Sequence, residues 1–146
     1  MLQYWPMPDF KVAPLLLSLL FFIVIDMVWL GVIANRLYYK KLSYLGTVKN
    51  QSIVFNLPVG VLTQALIASG LFVVLTLATN IYGGPNVSTV AIGAFVSFVM
   101  YATYDLTSLS FVKNWPLDIT LIDLLWGTAQ GVFAGLYVPY LLHVFR

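Results

Sequence analysis

The sequence predicts an all-α polytopic membrane protein, folded as an antiparallel bundle of four transmembrane helices. Three observations predict it. Of 146 residues, 61% are hydrophobic, and the mean hydropathy is +0.94. Only seven residues are basic and five acidic, where a soluble domain of this length carries ~36 charges. Four apolar stretches are each long enough to cross a bilayer. The acidic residues are all Asp, and there is no Cys. This composition excludes a soluble domain, a disordered tail, a disulfide scaffold, a thiolate metal site and a nucleic-acid binder. No cofactor and no metal site is expected, and the lipid bilayer is the expected partner.

The first span is expected from Pro14 to Ala34, the second from Ile53 to Thr79, the third from Val87 to Val112 and the fourth from Leu117 to Phe145. In numbers these are 14–34, 53–79, 87–112 and 117–145, within a single transmembrane domain over 1–146. The first span, at ~1.5 Å per residue, covers ~31 Å of a hydrocarbon core ~30 Å thick. Barrel strands need alternation, and Leu15-Leu16-Leu17 or Phe21-Phe22-Ile23-Val24-Ile25 do not alternate. A cleaved signal peptide fits poorly, because the first run is a full span and carries Asp26 and Trp29.

The loops set an expected orientation. Arg36, Lys40, Lys41 and Lys49 lie in loop 35–52, Lys113 lies in loop 113–116, and the loop around Gly83-Gly84-Pro85 has no charge. Only Lys11 and Arg146 oppose them. The positive-inside rule then puts loops 35–52 and 113–116 in the cytosol and both termini outside, in a plasma (inner) membrane. Tyr38, Tyr39 and Tyr44 read as interfacial anchors. The sequon Asn86-Val87-Ser88 sits too near the membrane to be a good glycan site.

Asp26, Asp105 and Asp123 fall within spans, with no Lys, Arg or His deep in any span. Unpaired, three such charges would cost ~8–10 kcal/mol on insertion scales. They must therefore be protonated, wrapped in donors or neutralised by a cation. In the expected orientation their depths are ~12, ~10 and ~9 Å from the cytosolic ends, which suggests one cluster. Helix one reads Ile25-Asp26-Met27-Val28-Trp29 and helix four Ile122-Asp123-Leu124-Leu125-Trp126, a weak inverted repeat. Antiparallel packing would cross the pairs, Asp26 with Trp126 and Asp123 with Trp29, because an indole N–H only donates. Ser97, Tyr101, Tyr104, Asp105 and Ser108 form a polar stripe on helix three, with Asn56, Thr63 and Gln64 on helix two and Gln130 on helix four. Thr107 joins the expected set. Gly127, Gly131 and Gly135 recur every four residues and permit close helix packing, inside the bundle or at a homo-oligomer seam. Asp118, after Trp115-Pro116-Leu117, reads as a structural acid in the first turn of a helix.

The stretch YATYDLTSLSFVKNWPLDITLIDLLWG, from Tyr101 to Gly127, resembles the domain of unknown function 2177 family of membrane proteins. The stretch IDMVWLGVIANRLYYKKL, from Ile25 to Leu42, resembles it too. The family often has Asn where this chain has Ser108. The resemblance implies four helices and a motif built on Asp26, Trp29, Tyr104, Asp105, Thr107, Trp115, Pro116, Asp123 and Trp126. It supplies no established activity, and it links such proteins with bacterial gene clusters for fatty-acid modification.

Three functions stay open. The first is a bundle with a carboxylate cluster that either scaffolds larger membrane partners or binds a proton or cation. The second is a proton- or cation-linked transporter or channel. The third is a lipid-modifying enzyme, or its accessory subunit in membrane fatty-acid metabolism, with one Asp as acid and another as base. Tyr104-Asp105 resembles half of an intramembrane aspartyl protease signature, but the glycine-rich second half is missing around Asp123. The absence of Cys, of a central His and of a Ser–His pair argues against acyl-transfer triads.

Overall fold

In the computed structural model the structure describes residues 11–145. Arg146 and the segment before Lys11, which enter the orientation argument, lie outside the described residues. Four helices are long and apolar enough to span a membrane, covering Val12–Ile33, Leu57–Tyr82, Val87–Phe111 and Leu117–Val144. The first comprises α1 (Val12–Val28) and one π-helical turn (Trp29–Ile33), after which α2 (Asn35–Leu42) continues the chain. Then come β1 (Val48–Lys49), β2 (Ser52–Ile53), α3 (Leu57–Tyr82), α4 (Val87–Phe111) and α5 (Leu117–Val144).

Residues 35–52 are expected as a loop, and the structure corrects this. Asn35 to Leu42 are helical, with Lys40 and Lys41 in the last turn, where cations suit the helix dipole. Val48 pairs with Ile53 and Lys49 with Ser52, and both turn residues, Asn50 and Gln51, have positive φ. That is the twist a two-residue hairpin demands. Ser52 Oγ donates to Asn35 Oδ1 at 2.5 Å and holds the hairpin against the start of α2.

The second span is also shifted, to 57–82 from the expected 53–79. Asn56 caps α3 by accepting from Val59 N, and Pro58 occupies the first turn, so the helix starts there. Asn56 is thus a cap and not a lining group of the interior. Thr63 is exposed and bonds back to Val59 O at 2.9 Å. The other spans agree with expectation to within two residues. Asn86 caps α4 through Ser88 N and Thr89 N, and its amide nitrogen donates to Tyr82 O at 2.9 Å. The sequon's acceptor nitrogen is therefore engaged in the turn.

Helices α4 and α5 pack most intimately. Gly93 of α4 faces Gly131 and Gly135 of α5, and a Cβ at Gly131 would collide with the Gly93 carbonyl. A Cβ at Gly127 would strike the Tyr101 ring, and one at Gly135 would lie 2.6 Å from Thr89 O. All three α5 glycines are buried within the chain. The row is consumed by α4, so it is not a seam for a second copy. Helix α1 rests on α3 and α5, and α3 also touches α4 and α5.

Two apolar clusters result. One, including Phe22, Leu71, Phe72, Leu75 and Val138, fills the half of the bundle far from α2. The other, Ala34, Tyr38 and Ile119, lies under α2. On the outside, Leu16, Leu66, Phe95, Phe111 and Leu125 are each at least 60% exposed, an apolar belt suited to lipid. At the far end Lys11 Nζ donates to Phe145 O at 2.7 Å and clasps α1 to α5.

Gly131→Ala should destabilise the purified protein by ~1–3 kcal/mol or more, as overpacking does. Gly60→Ala, where the added methyl meets no atom within 4 Å, should be neutral or slightly stabilising. Unfolding in detergent micelles checks both, and equal effects would contradict the packing described.

Candidate functional site

On α1 the buried positions are Pro14, Ser18, Phe22 and Asp26, four residues apart. Ala34 and Tyr38 continue the row. A straight α-helix would carry Tyr38 ~120° away from the Asp26 face. The π turn reverses this. Ala34 N donates to Trp29 O at 2.8 Å, five residues back, and the wider turn swings α2 onto the bundle.

Asp26 is 1% exposed. Its Oδ1 accepts from Trp126 Nε1 at 3.0 Å and from the Tyr101 hydroxyl at 3.4 Å, while Oδ2 has no partner. The same hydroxyl lies against Gln130 Oε1, so its single proton serves either Asp26 or Gln130, and Gln64 lies beside it. Asp105 is likewise 1% exposed, and neither of its oxygens has a hydrogen-bond partner. Asp123 is half-buried and accepts from the Tyr38 hydroxyl. It stands within electrostatic reach of both Asp26 and Asp105. Four helical elements and α2 thus converge on one polar interior, nearer the end of the bundle that carries α2.

Trp29 stacks flat on Trp126, with centroids 4.3 Å apart and planes 7° apart. Its buried Nε1 has no hydrogen-bond partner, so Trp29 does not pair with Asp123. The π turn begins at Trp29, and Tyr38 takes the place by Asp123 that the repeat reserves for it. Tyr38 itself, expected as an interfacial anchor, is only 6% exposed. Burial, and the nearby Asp123, push its hydroxyl well above the ordinary tyrosine value, so it stays a donor. No signal in composition marks this role. The row spaced by four from Pro14 is the one available hint.

Two expected members fall outside the interior. Tyr104 is 63% exposed and meets Trp115 edge-on at 6.1 Å, and Thr107 is exposed. The buried stripe of α4 follows Ser97, Tyr101, Asp105 and Ser108, and residues 104 and 107 lie at its outer edge. Asp118 sits at the surface, paired with Lys41 at 2.5 Å, and accepts from Ile119 N at 3.1 Å.

Besides the carboxylate oxygens, Gln64 Oε1, Gln130 Nε2, Ser97 Oγ and Ser18 Oγ are buried without partners. Each such atom costs ~1–3 kcal/mol if left dry. Among the described residues, no three acidic or histidine side chains form a group that could hold a metal ion. An open groove of ~290 Å³ is lined by Phe21, Ile25, Phe133, Leu136 and Tyr137, and no carboxyl lines it.

Four apolar spanning helices around a polar interior define a polytopic all-α membrane protein. The chain belongs to the domain of unknown function 2177 family, described as a predicted membrane protein, whose family model matches residues 12–138. No curated protein and no solved structure matches it.

The Tyr38–Asp123 bond gives a prediction. Tyr38→Phe and Asp123→Asn should each destabilise the fold by ~0.6–1.7 kcal/mol. Combined, they should cost less than the sum, and a double-mutant cycle on micellar unfolding measures that coupling. Strict additivity would mean the two groups do not interact.

Proposed function

We infer that this protein is a membrane bundle with an interior proton-binding site, in which Asp105, Asp26 and Asp123 take up and release protons. One observation carries the reading. Asp105 is 1% exposed, yet both of its oxygens lack a hydrogen-bond donor. A buried carboxyl needs donors, a cation or a proton. Asp123 has a tyrosine donor and Asp26 has indole and tyrosine donors on one oxygen. For Asp105 no side-chain donor and no cationic side chain is present among the described residues, and a proton would satisfy it. Trp126, Tyr101, Gln130 and Tyr38 hold the neighbouring acids in place, and Trp29 supports Trp126 by stacking.

A second reading has its own support. The bonds Trp126–Asp26 and Tyr38–Asp123 tie α1 and α2 to α5, as polar glue does in bundles. A lipid-modifying role and metal-ion transport draw no comparable observation from the described residues. We also infer that the α2 end faces the cytosol of a plasma (inner) membrane, because Arg36, Lys40, Lys41, Lys49 and Lys113 gather there.

The test is proton uptake by the full chain in lipid vesicles. On acidification from alkaline to neutral pH, the wild type should bind protons that the Asp105→Asn variant does not, with helix content unchanged by circular dichroism. Equal uptake by the two proteins would reject proton binding at Asp105 and favour the glue reading.

A further inference from the structure

The unpartnered polar atoms are distributed unevenly along the bundle. In the far half, the buried threonines are satisfied locally. Thr76 donates to Phe72 O at 2.8 Å, Thr79 to Leu75 O at 2.6 Å and Thr89 to Asn86 O at 2.9 Å. Around them Phe22, Leu71, Phe72, Leu75, Ala134 and Val138 are at most 2% exposed and form a dry plug. Among the described residues Ser18 Oγ is unpartnered toward that end, beside the Tyr137 hydroxyl that donates to Ser18 O at 3.4 Å, and Phe22 stands on the buried row between it and Asp26.

From mid-bundle toward α2 the situation reverses. Gln64 Oε1, Asp26 Oδ2 and both oxygens of Asp105 are orphaned acceptors, and Ser97 Oγ, near the middle of α4, can both donate and accept. Gln130 Nε2, beside Asp26, and Trp29 Nε1, beside Tyr38, are donors without a well-formed hydrogen bond. They come from α1, the π turn, α3, α4 and α5. A bare cation would satisfy the acceptors and strand the donors, and an anion would do the opposite. Water both donates and accepts, so it serves every member of the mixed set. The titratable groups facing this space are Asp26 from α1, Tyr38 from α2, Tyr101 and Asp105 from α4, and Asp123 from α5. Helix α3 contributes Gln64, which does not titrate.

We propose that these orphaned atoms hold a file of ordered waters from Gln130 and Gln64 past Asp26 to Asp105, sealed at the far end and opening only at the α2 end. The gate is the Tyr38–Asp123 hydrogen bond, carried on α2 beyond the π turn. A hydronium at the α2 face passes its proton along the file to a carboxylate and leaves a water behind, and release is the reverse. The inference rests on the proton-binding reading and adds its sidedness. The bundle is a one-ended proton well and not a route across the bilayer.

The experiment uses the full chain in vesicles of mixed orientation with a strongly buffered lumen. Trypsin cleavage after Lys49, in a parallel sample, counts the molecules with α2 outward. The external pH is then stepped, and the carboxyl C=O stretch is followed by time-resolved infrared, assigned by its loss in Asp105→Asn. The expected fast amplitude equals the fraction with α2 outward. Tyr38→Phe should speed the change. A fast amplitude covering all molecules, or matching the fraction with α2 inward, would overturn the one-ended well while leaving proton binding intact. A rate unaffected by Tyr38→Phe would remove the gate. Absence of any titrating band assignable to Asp26, Asp105 or Asp123 would instead reject proton binding itself, and the well with it.

Discussion

A carboxyl group set among apolar helices needs a donor, a counter-ion or a proton, and three aspartates of these helices stand under that constraint. The three aspartates meet it differently. Asp26 draws on an indole and a phenol from α5 and α4. Asp123 draws on a tyrosine brought in by α2. Asp105 has no side-chain partner among the described residues. The graded supply of donors makes the three acids chemically unequal although they share one interior.

The scaffold that carries them is unequal too. Helices α4 and α5 meet through glycines so closely that backbone atoms touch backbone atoms, which leaves that pair little freedom to slide. Asp105 and Asp123 ride on this rigid pair. Asp26 and Tyr38 ride on the chain segment that contains the π turn, whose hydrogen bonding is the least regular in the bundle. At Gly31, within that turn, nothing packs where a side chain would stand. Movement at the site is therefore most easily supplied from the α1–α2 side.

The spans were legible because bilayer thickness dictates the length of an apolar run, and four such runs are hard to mistake. The details near α2 were not. Lys40 and Lys41 make Asn35–Leu42 look like a solvated loop, although the segment is helical. The hairpin turns on Asn50-Gln51 and lacks the glycine that usually marks such a turn. Asn56 and Pro58 do signal the start of α3, but the apolar Ile53-Val54-Phe55 before them masks it. Within the interior, antiparallel register was enough to bring Trp126 opposite Asp26. It failed for Trp29 because a π turn has no compositional signature, and the rotation it introduces decides which aromatic reaches Asp123. Tyr104 reads in sequence as a partner of its neighbour Asp105, yet one residue is a 100° step around a helix, and that step carries it to the surface.

The flat contact between Trp29 and Trp126 has one more consequence. Two of the chain's four tryptophans lie face to face, and one of them is hydrogen-bonded to Asp26. Paired chromophores at that separation share their excited states, and a neighbouring charge shifts their energy. The molecule thus carries its own optical reporter beside the acids, with no label to attach.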